Sequence, residues 1–175
     1  MSLSSKPLFE GKKGLFFGVA NERSLAWGIA HQLAAQGATI GFTHFPDSSE
    51  RRKNEKKLRR IVEPIGDTGR SASFVFPCDV TNDDDLDRVF AKAEQDLGAI
   101  DFLLHSVAFA PPSDLTRPVY MCSRDGFPTG MNVSVYSLVA MCHRMLPIMN
   151  RGGSVLSLTY LGGERVIPGC NLMGV

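Results

Sequence analysis

The sequence has few cysteines, little net charge and no long apolar run. Cys78, Cys122, Cys142 and Cys170 lie too far apart for a CxxC metal or redox pair, and nothing at the N-terminus resembles a cleavable signal. We therefore expect a reduced, cytosolic protein. A formal net charge of +1 gives no reason to expect nucleic acid or an anionic membrane surface as a partner. No apolar stretch approaches the roughly 20 residues that span a bilayer.

The chain also lacks internal repeats and linkers, and its 175 residues predict one domain over 1–175. Strands are predicted at 13–19, 38–44, 71–80, 99–108 and 152–159. Helices are predicted at 21–37, 49–63, 81–98 and 125–149. This alternation favours an α/β fold with an open, doubly wound, mostly parallel sheet and right-handed crossovers.

No GxGxxG motif is present, yet a glycine ends the first predicted strand. In the stretch "GVANERSLAWG", Gly18 permits a tight exit from the strand and Ser24 can cap the helix that follows. The amides at the start of that helix can hold a pyrophosphate, and ligands of such sheets bind beyond the strand ends where the strand order reverses. A dinucleotide site is therefore predicted. The alternative is that Gly18 and Gly28 only allow a turn and close helix packing.

Two further strand ends point into the same predicted crevice. Asp79 can accept a hydrogen bond from an adenine amino group, with Val80 lying against the ring. The segment "HSVAFA" at 105–110 offers backbone and small side chains to the nicotinamide half. The alternatives are that Asp79 only caps the next helix, which Thr81 or Asn82 can also do, and that His105 is a satisfied buried histidine.

The predicted helix at 49–63 is rich in Lys and Arg but has glutamates interleaved and no alternating aromatics. This pattern favours a solvated helix face over a nucleic-acid site. An alternative is that Arg51 or Arg52 meets the 2′-phosphate of a cofactor, because this segment follows the second strand, where NADH and NADPH are distinguished. NADPH is therefore not excluded.

Several short pieces in order resemble one enzyme family. They are "GVANERSLAWGIA", "CDV", "HSVAFAP", "SRDGF", "YSLVA", "LTYLGGERVIP" and "NLMG". Together they resemble the NADH-dependent enoyl-acyl-carrier-protein reductases of bacterial and plastid fatty-acid synthesis, a divergent branch of the short-chain dehydrogenases/reductases. The resemblance runs from about residue 8 to the last residue. It implies a Rossmann-like sheet that lacks the last strands of the family fold.

The resemblance also implies a reaction and a set of site positions. Hydride passes from NADH to the β-carbon of an enoyl thioester carried on acyl carrier protein, and negative charge collects on the thioester oxygen. Its cofactor-binding positions are Gly18, Ala20, Ser24, Leu25, Asp79, Val80, Ser106, Val107 and Ala108. Ala110 takes a substrate-side position. No metal is implied.

The family's catalytic positions are only partly filled. An earlier tyrosine of the family falls on Tyr160, the donor tyrosine falls on Cys170, and the ribose-holding lysine falls just beyond Val175. The alternative for Tyr160 is a packing aromatic at a strand end, and for Cys170 we favour an inert thiol over a reactive one. Phe45 and Asn132 also depart from the family, where glutamine and a carboxylate are common.

Three functions follow, in order of preference. The first is an NADH-dependent enoyl-thioester reductase, cytoplasmic or stromal in a plant, from a family that is usually homo-oligomeric. The second is a non-catalytic dinucleotide-binding or interaction module derived from it. The third, a carbonyl-reducing short-chain dehydrogenase, is disfavoured because Tyr-x-x-x-Lys is absent. Relative to the family the chain is incomplete, so we expect marginal stability, aggregation or dependence on a partner.

Overall fold

A computed structural model describes residues 6–48, 50–63, 65 and 72–175. Within these ranges it contains one five-stranded parallel sheet with the order β3-β2-β1-β4-β5. The strands are β1 (Lys13–Phe17), β2 (Thr39–His44), β3 (Phe74–Pro77), β4 (Ile100–His105) and β5 (Met149–Ser157). The Rossmann-like, doubly wound prediction is confirmed. The strand order reverses between β1 and β4, so a ligand crevice is expected where these two strands end.

Helices cover both faces of the sheet from β1 to β4. Phe16 of β1 packs in the cluster that holds α1 (Leu25–Ala35) and α2 (Lys53–Val62), whereas its neighbours Leu15 and Phe17 pack against α3 (Asp83–Leu97) and α6 (Ser137–Met145). Because successive side chains of a strand point to opposite faces, burial on both faces explains why β1 carries consecutive apolar side chains at Leu15, Phe16 and Phe17.

Helix ends carry the caps that the sequence indicated. Ser24 is the N-cap of α1, and Gly37 at φ +101° ends it with the paired bonds of a Schellman motif, from the N–H of Gly37 to the carbonyl of Ala34 and from that of Ala38 to Leu33. Between the two candidates for α3, Asn82 is the cap. The prediction for 49–63 begins at Ser49, outside the described residues, and the strand predicted from residue 71 likewise starts outside them.

The single helix predicted at 125–149 is wrong in detail. The chain forms α5 (Gly126–Met131), a π-helical turn (Asn132–Tyr136), α6 and a 3₁₀ turn (Leu146–Ile148), and β5 starts directly afterwards, earlier than predicted. The π turn follows from an N–H of Ser137 that bonds to the carbonyl of Asn132, and the 3₁₀ turn contains a proline, which lacks an N–H. The sequence also gave no sign of α4 (Pro112–Leu115) or of the 3₁₀ turn Val119–Met121.

β5 lies at the sheet edge within the described part of the chain, and Val155 and Leu156 are 40% and 50% exposed. After β5 the chain runs through two short 3₁₀ turns, Leu161–Gly163 and Asn171–Gly174. All four cysteines are free. Among the described helices, none combines the length and apolar character needed to cross a membrane.

Candidate functional site

A cavity of about 660 Å³ lies beyond the carboxyl ends of β1 to β4. Its walls come from the strand ends and the residues that follow them, from one face of α2, and from Thr129 and Val133. The segments that line it are 18–20, 43–45, 78–81 and 107–109. The cavity therefore occupies the crevice that the sheet topology predicts for a ligand.

Gly18 is required by the backbone geometry of this crevice. Its φ is +91°, and a Cβ on it would lie 2.0 Å from the carbonyl oxygen of Ser106. The Ser106 N–H in turn donates to the Phe17 carbonyl at 3.0 Å. Gly28 is different, since a Cβ there would meet nothing within 4 Å. Close helix packing therefore does not explain Gly28, and the packing alternative is wrong for that residue.

The turn from β1 into α1 is organised by short polar bonds. The Ser24 hydroxyl accepts from the Trp27 N–H at 3.3 Å and donates to the Asn21 carbonyl at 2.7 Å. Ala20 lines the cavity, whereas Leu25 opens the helix with 73% of its surface exposed. The structure thus places Gly18 and Ala20 on the cavity wall and Ser24 and Leu25 at the helix start beside it.

At the end of β3, Cys78, Asp79 and Val80 line the cavity together. One carboxylate oxygen of Asp79 accepts from the N–H and the hydroxyl of Thr81, at 2.9 and 2.7 Å. Asp79 therefore shapes the turn, while the cap of α3 is Asn82, so the alternative that Asp79 is only a cap is wrong. Burial, together with the charges of Asp85 and Asp79, raises the pKa of the Cys78 thiol to about 12, so this thiol is unreactive.

His105 is a satisfied buried histidine, as the alternative held. Only 1% of it is exposed, and its Nε2 lies 2.8 Å from the Ser137 hydroxyl. Because that hydroxyl donates to the Val133 carbonyl, Nε2 carries the proton, and Nδ1 accepts from Ser157 at 3.5 Å. Burial lowers the pKa of the imidazole, which keeps it neutral.

A second, smaller cavity of about 200 Å³ adjoins the first. Val107 and Ala108 line both cavities, so the backbone after β4 forms their common wall. Tyr160 lines the smaller one and is 47% exposed. The predicted nicotinamide segment and the predicted catalytic tyrosine therefore meet at one place.

Three further predicted residues, Ser106, Ala110 and Cys170, line neither cavity. Cys170 does not line the smaller cavity; its Sγ would be 3.6 Å from a Cβ on Gly162, so it packs on the turn after Tyr160. Ala110 is 3% exposed and lines neither cavity, because it lies beneath α5 near Gly130. The expected substrate contact of Ala110 and the donor place of Cys170 are thus not seen in this arrangement.

The cationic alternative on α2 finds no support at its named residues. Arg52 is bonded to Glu55 at 3.5 Å and lies on a separate cavity, and Arg51 is exposed. Instead Asn54 and Lys57 line the large cavity. The charged face itself is confirmed, because only Leu58, Ile61 and Val62 of α2 are buried.

Sequence reasoning missed Asn54 and Lys57. They stand at helical spacing with Leu58 and Ile61, which also line the cavity, so the amphipathic period of α2 could have identified them. Within the described ranges, no group of three or more His, Cys, Asp or Glu residues is placed to hold a metal ion.

A parallel sheet whose crevice lies at the strand-order reversal, with a glycine turn leading into a capped helix, defines a dinucleotide-binding class of α/β protein. Within that class the sequence is specific. A profile described as Enoyl-(Acyl carrier protein) reductase matches residues 18–175, and the chain belongs to this family.

Relatives and solved structures agree with this assignment. The enoyl-[acyl-carrier-protein] reductase [NADH] FabI of Nostoc sp. is 44% identical over 165 residues, which are 94% of this chain and 61% of the relative. The Bacillus cereus reductase, solved with NADP+ and indole naphthyridinone, is 41% identical with a TM-score of 0.86, over 95% of this chain and 62% of that one. The Anaplasma phagocytophilum reductase, solved with NAD, is 38% identical with the same TM-score, over 99% and 62%.

The chain therefore spans about three-fifths of the length of the relatives it matches.

Proposed function

We propose that this chain binds NADH in the larger cavity and serves the reduction of the trans-2 double bond of enoyl-acyl-carrier-protein thioesters in fatty-acid biosynthesis. One observation carries the proposal. The larger cavity, on the crevice where dinucleotides bind, shares Val107 and Ala108 with the smaller cavity that holds Tyr160. The relatives named as NADH-dependent reductases support the choice of cofactor.

The residues of the crevice fit a dinucleotide. Gly18 lets the chain pass the end of β4 at a distance that no side chain permits, and the turn at 19–24 then leads to the amides at the start of α1. We assign Asp79 and Val80 to the adenine end, and Ser106, Val107 and Ala108 to the nicotinamide end. Once bound there, the reduced nicotinamide supplies a hydride.

Tyr160 is the polar side chain that we assign to the thioester. When the β-carbon gains a hydride, negative charge develops on the thioester oxygen, and a hydroxyl donor in a partly enclosed cavity stabilises that charge. Cys170, at the second donor position, has a thiol that is shorter and a weaker donor than a phenol. Removal of one such donor typically costs about 100- to 1000-fold in rate, so we expect slow turnover.

That cysteine also supports a second candidate function, a non-catalytic dinucleotide-binding or interaction module. Cys170 packs on Gly162 and does not line the cavity, so this chain has the cofactor crevice without a second donor in place. For both candidates we propose a single domain over 1–175, a cytoplasmic location or the stroma of a plant plastid, and no nucleic acid or membrane as partner.

The test separates cofactor binding from turnover. NADH binding is measured by the change in nicotinamide fluorescence, and turnover by NADH oxidation with a crotonyl thioester. We expect binding by the natural chain, slow turnover, and a gain of about 100- to 1000-fold in rate for Cys170→Tyr. Tyr160→Phe in that background should remove the gain.

Two matched variants serve as controls. Cys122→Tyr places a new phenol outside both cavities, and Tyr120→Phe removes a hydroxyl from a side chain that is 87% exposed. Neither should alter the rate. If NADH binds but Cys170→Tyr gains nothing, the non-catalytic dinucleotide-binding module is the better description. If NADH does not bind, the reductase and the dinucleotide-binding module both fail, and only an interaction module is left.

A further inference from the structure

The end of β2 carries no carboxylate on the wall of the larger cavity. His44 and Phe45 stand there, and the nearest acid along the chain, Asp47, faces away into a separate cavity. Both oxygens of Asp47 are occupied, since they accept the N–H groups of Asn54 and Glu55 at 2.8 and 3.1 Å. Among the described residues of β2 and the loop after it, none therefore supplies the carboxylate that many dinucleotide folds place here for the ribose 2′-hydroxyl.

Asn54 supplies an acceptor from the neighbouring helix. Its Nδ2 donates to the carbonyl oxygen of Phe45 at 3.0 Å, which fixes the orientation of the amide, because only the nitrogen can face a carbonyl. The other end of the amide, Oδ1, receives no hydrogen bond from any residue in the described part of the chain, and Asn54 lines the cavity. An oriented oxygen, which can only accept, is thus available beside the end of β2.

This polarity distinguishes two cofactors. A ribose 2′-hydroxyl can donate to Oδ1, whereas a 2′-phosphate presents only acceptor oxygens and negative charge. We propose, on the basis of the NADH site proposed above, that Asn54 is a specificity-determining residue that accepts the adenosine 2′-hydroxyl and favours NADH over NADPH.

Lys57 is a cation on the wall of the same cavity. It lies one helical turn beyond Asn54 and lines the same cavity, so its ammonium could instead attract a 2′-phosphate. The loop before α2 is the second concern, because Asn54 also ties it down through Phe45 and Asp47. The experiment must therefore separate acceptor, charge and loop effects.

Dissociation constants of NADH, 2′-deoxy-NADH and NADPH are measured by fluorescence titration of the whole chain. For the natural chain we expect 2′-deoxy-NADH to bind about five- to tenfold more weakly than NADH, as for one lost hydrogen bond, and NADPH at least about tenfold more weakly. For Asn54→Ala, NADH should weaken about five- to tenfold, and the penalty for the missing 2′-hydroxyl should fall below about twofold.

Two variants complete the design. Asp47→Ala loosens the same loop from outside the cavity and should weaken all three cofactors by one common factor. Lys57→Gln should leave the ratio of the NADPH to the NADH affinity within about twofold of its value in the natural chain. The inference is overturned if 2′-deoxy-NADH binds Asn54→Ala as much more weakly than NADH as it binds the natural chain. It is also overturned if the natural chain binds NADPH and NADH equally well and Lys57→Gln abolishes that equality. In those cases NADH still binds; a chain that binds none of the three disproves the proposed function itself.

Discussion

The walls of the two cavities are held in different ways. The larger one rests on the ends of strands whose neighbours are fully buried, such as Phe17 at 0% exposure, and on a glycine that the opposing backbone leaves no room to replace. The smaller one is closed by residues 158–175, which form short turns and include Val166 at 97% exposure. The wall of the larger cavity is therefore fixed by the sheet itself, whereas the wall with Tyr160 depends on a few anchoring side chains.

The wall of the larger cavity is most sharply tested at Gly18. We expect Gly18→Ala to lower the free energy of unfolding by about 4 kcal/mol, because the new Cβ meets a backbone oxygen and the positive φ is unfavourable for alanine. Urea titration followed by circular dichroism measures the change.

Gly28→Ala is the matched control in the same turn and helix. Since its Cβ meets nothing within 4 Å and alanine favours a helix, stability should rise by about 0.5 to 1 kcal/mol. If the free energy of unfolding of Gly18→Ala lay within about 1 kcal/mol of that of the natural chain, the strand ends would be able to separate. The two cavities would then not differ in how their walls are held.

This contrast also explains what the sequence could predict. Alternating burial of Leu15, Phe16 and Phe17 gives a strong strand signal, and Gly18 marks a conformation that other residues rarely adopt. The helical period of α2 contains the information that identifies Asn54, although reading it requires knowing which helix face meets the crevice.

Other features depend on contacts between distant parts of the chain. The π turn accompanies Ser137, whose hydroxyl bonds to Val133 and also meets His105 of β4. Ala110 is covered because Gly130 and Leu172 come together near it. No local pattern in the sequence reports such a meeting, so the positions of Ala110 and Cys170 could not be derived from spacing.

The segment 158–175, which closes the smaller cavity, is tested by Leu172→Ala. Leu172 is 5% exposed and lies near Gly130, while the neighbouring Asn171 donates to the Leu115 carbonyl at 2.6 Å. Loss of this buried side chain costs about 2 to 3 kcal/mol, which we expect to appear as local opening of residues 158–175. Tryptic cleavage after Arg165 should then accelerate about 30- to 150-fold, with little change in the urea midpoint of the remainder.

Val166→Ala is the control beside the cleavage site, and it should change neither the cleavage rate nor the midpoint, because Val166 is 97% exposed. If Leu172→Ala instead lowers the urea midpoint by the full amount without faster cleavage, residues 158–175 unfold together with the sheet, and the two cavities share one cooperative unit.

The smallest expected effect lies at His105, which links the end of β4 to Ser137 of α6 and Ser157 of β5. Its pKa in the folded chain is lowered by burial from the ordinary 6.5. As the pH falls, the unfolded chain therefore takes up a proton at His105 before the folded chain does. The free energy of unfolding that the neutral His105 contributes is thus present above about pH 6.5 and is lost progressively below it. Between the pKa values of His105 in the unfolded and the folded chain, its contribution to the slope of the free energy of unfolding against pH should approach about 1.4 kcal/mol per pH unit.

Urea titrations at about pH 7.5, 6.5 and 5.5 measure that slope, and His105→Phe serves as the reference because it cannot titrate. The variant will be less stable at every pH, because the hydroxyls of Ser137 and Ser157 lose their contacts with His105. The slopes are therefore compared, and not the absolute free energies of unfolding. Equal slopes in the two proteins would mean that His105 accepts a proton in the folded chain as readily as in the unfolded one. Water would then reach the end of β4, and the sheet would not hold the wall that the two cavities share at Val107 and Ala108.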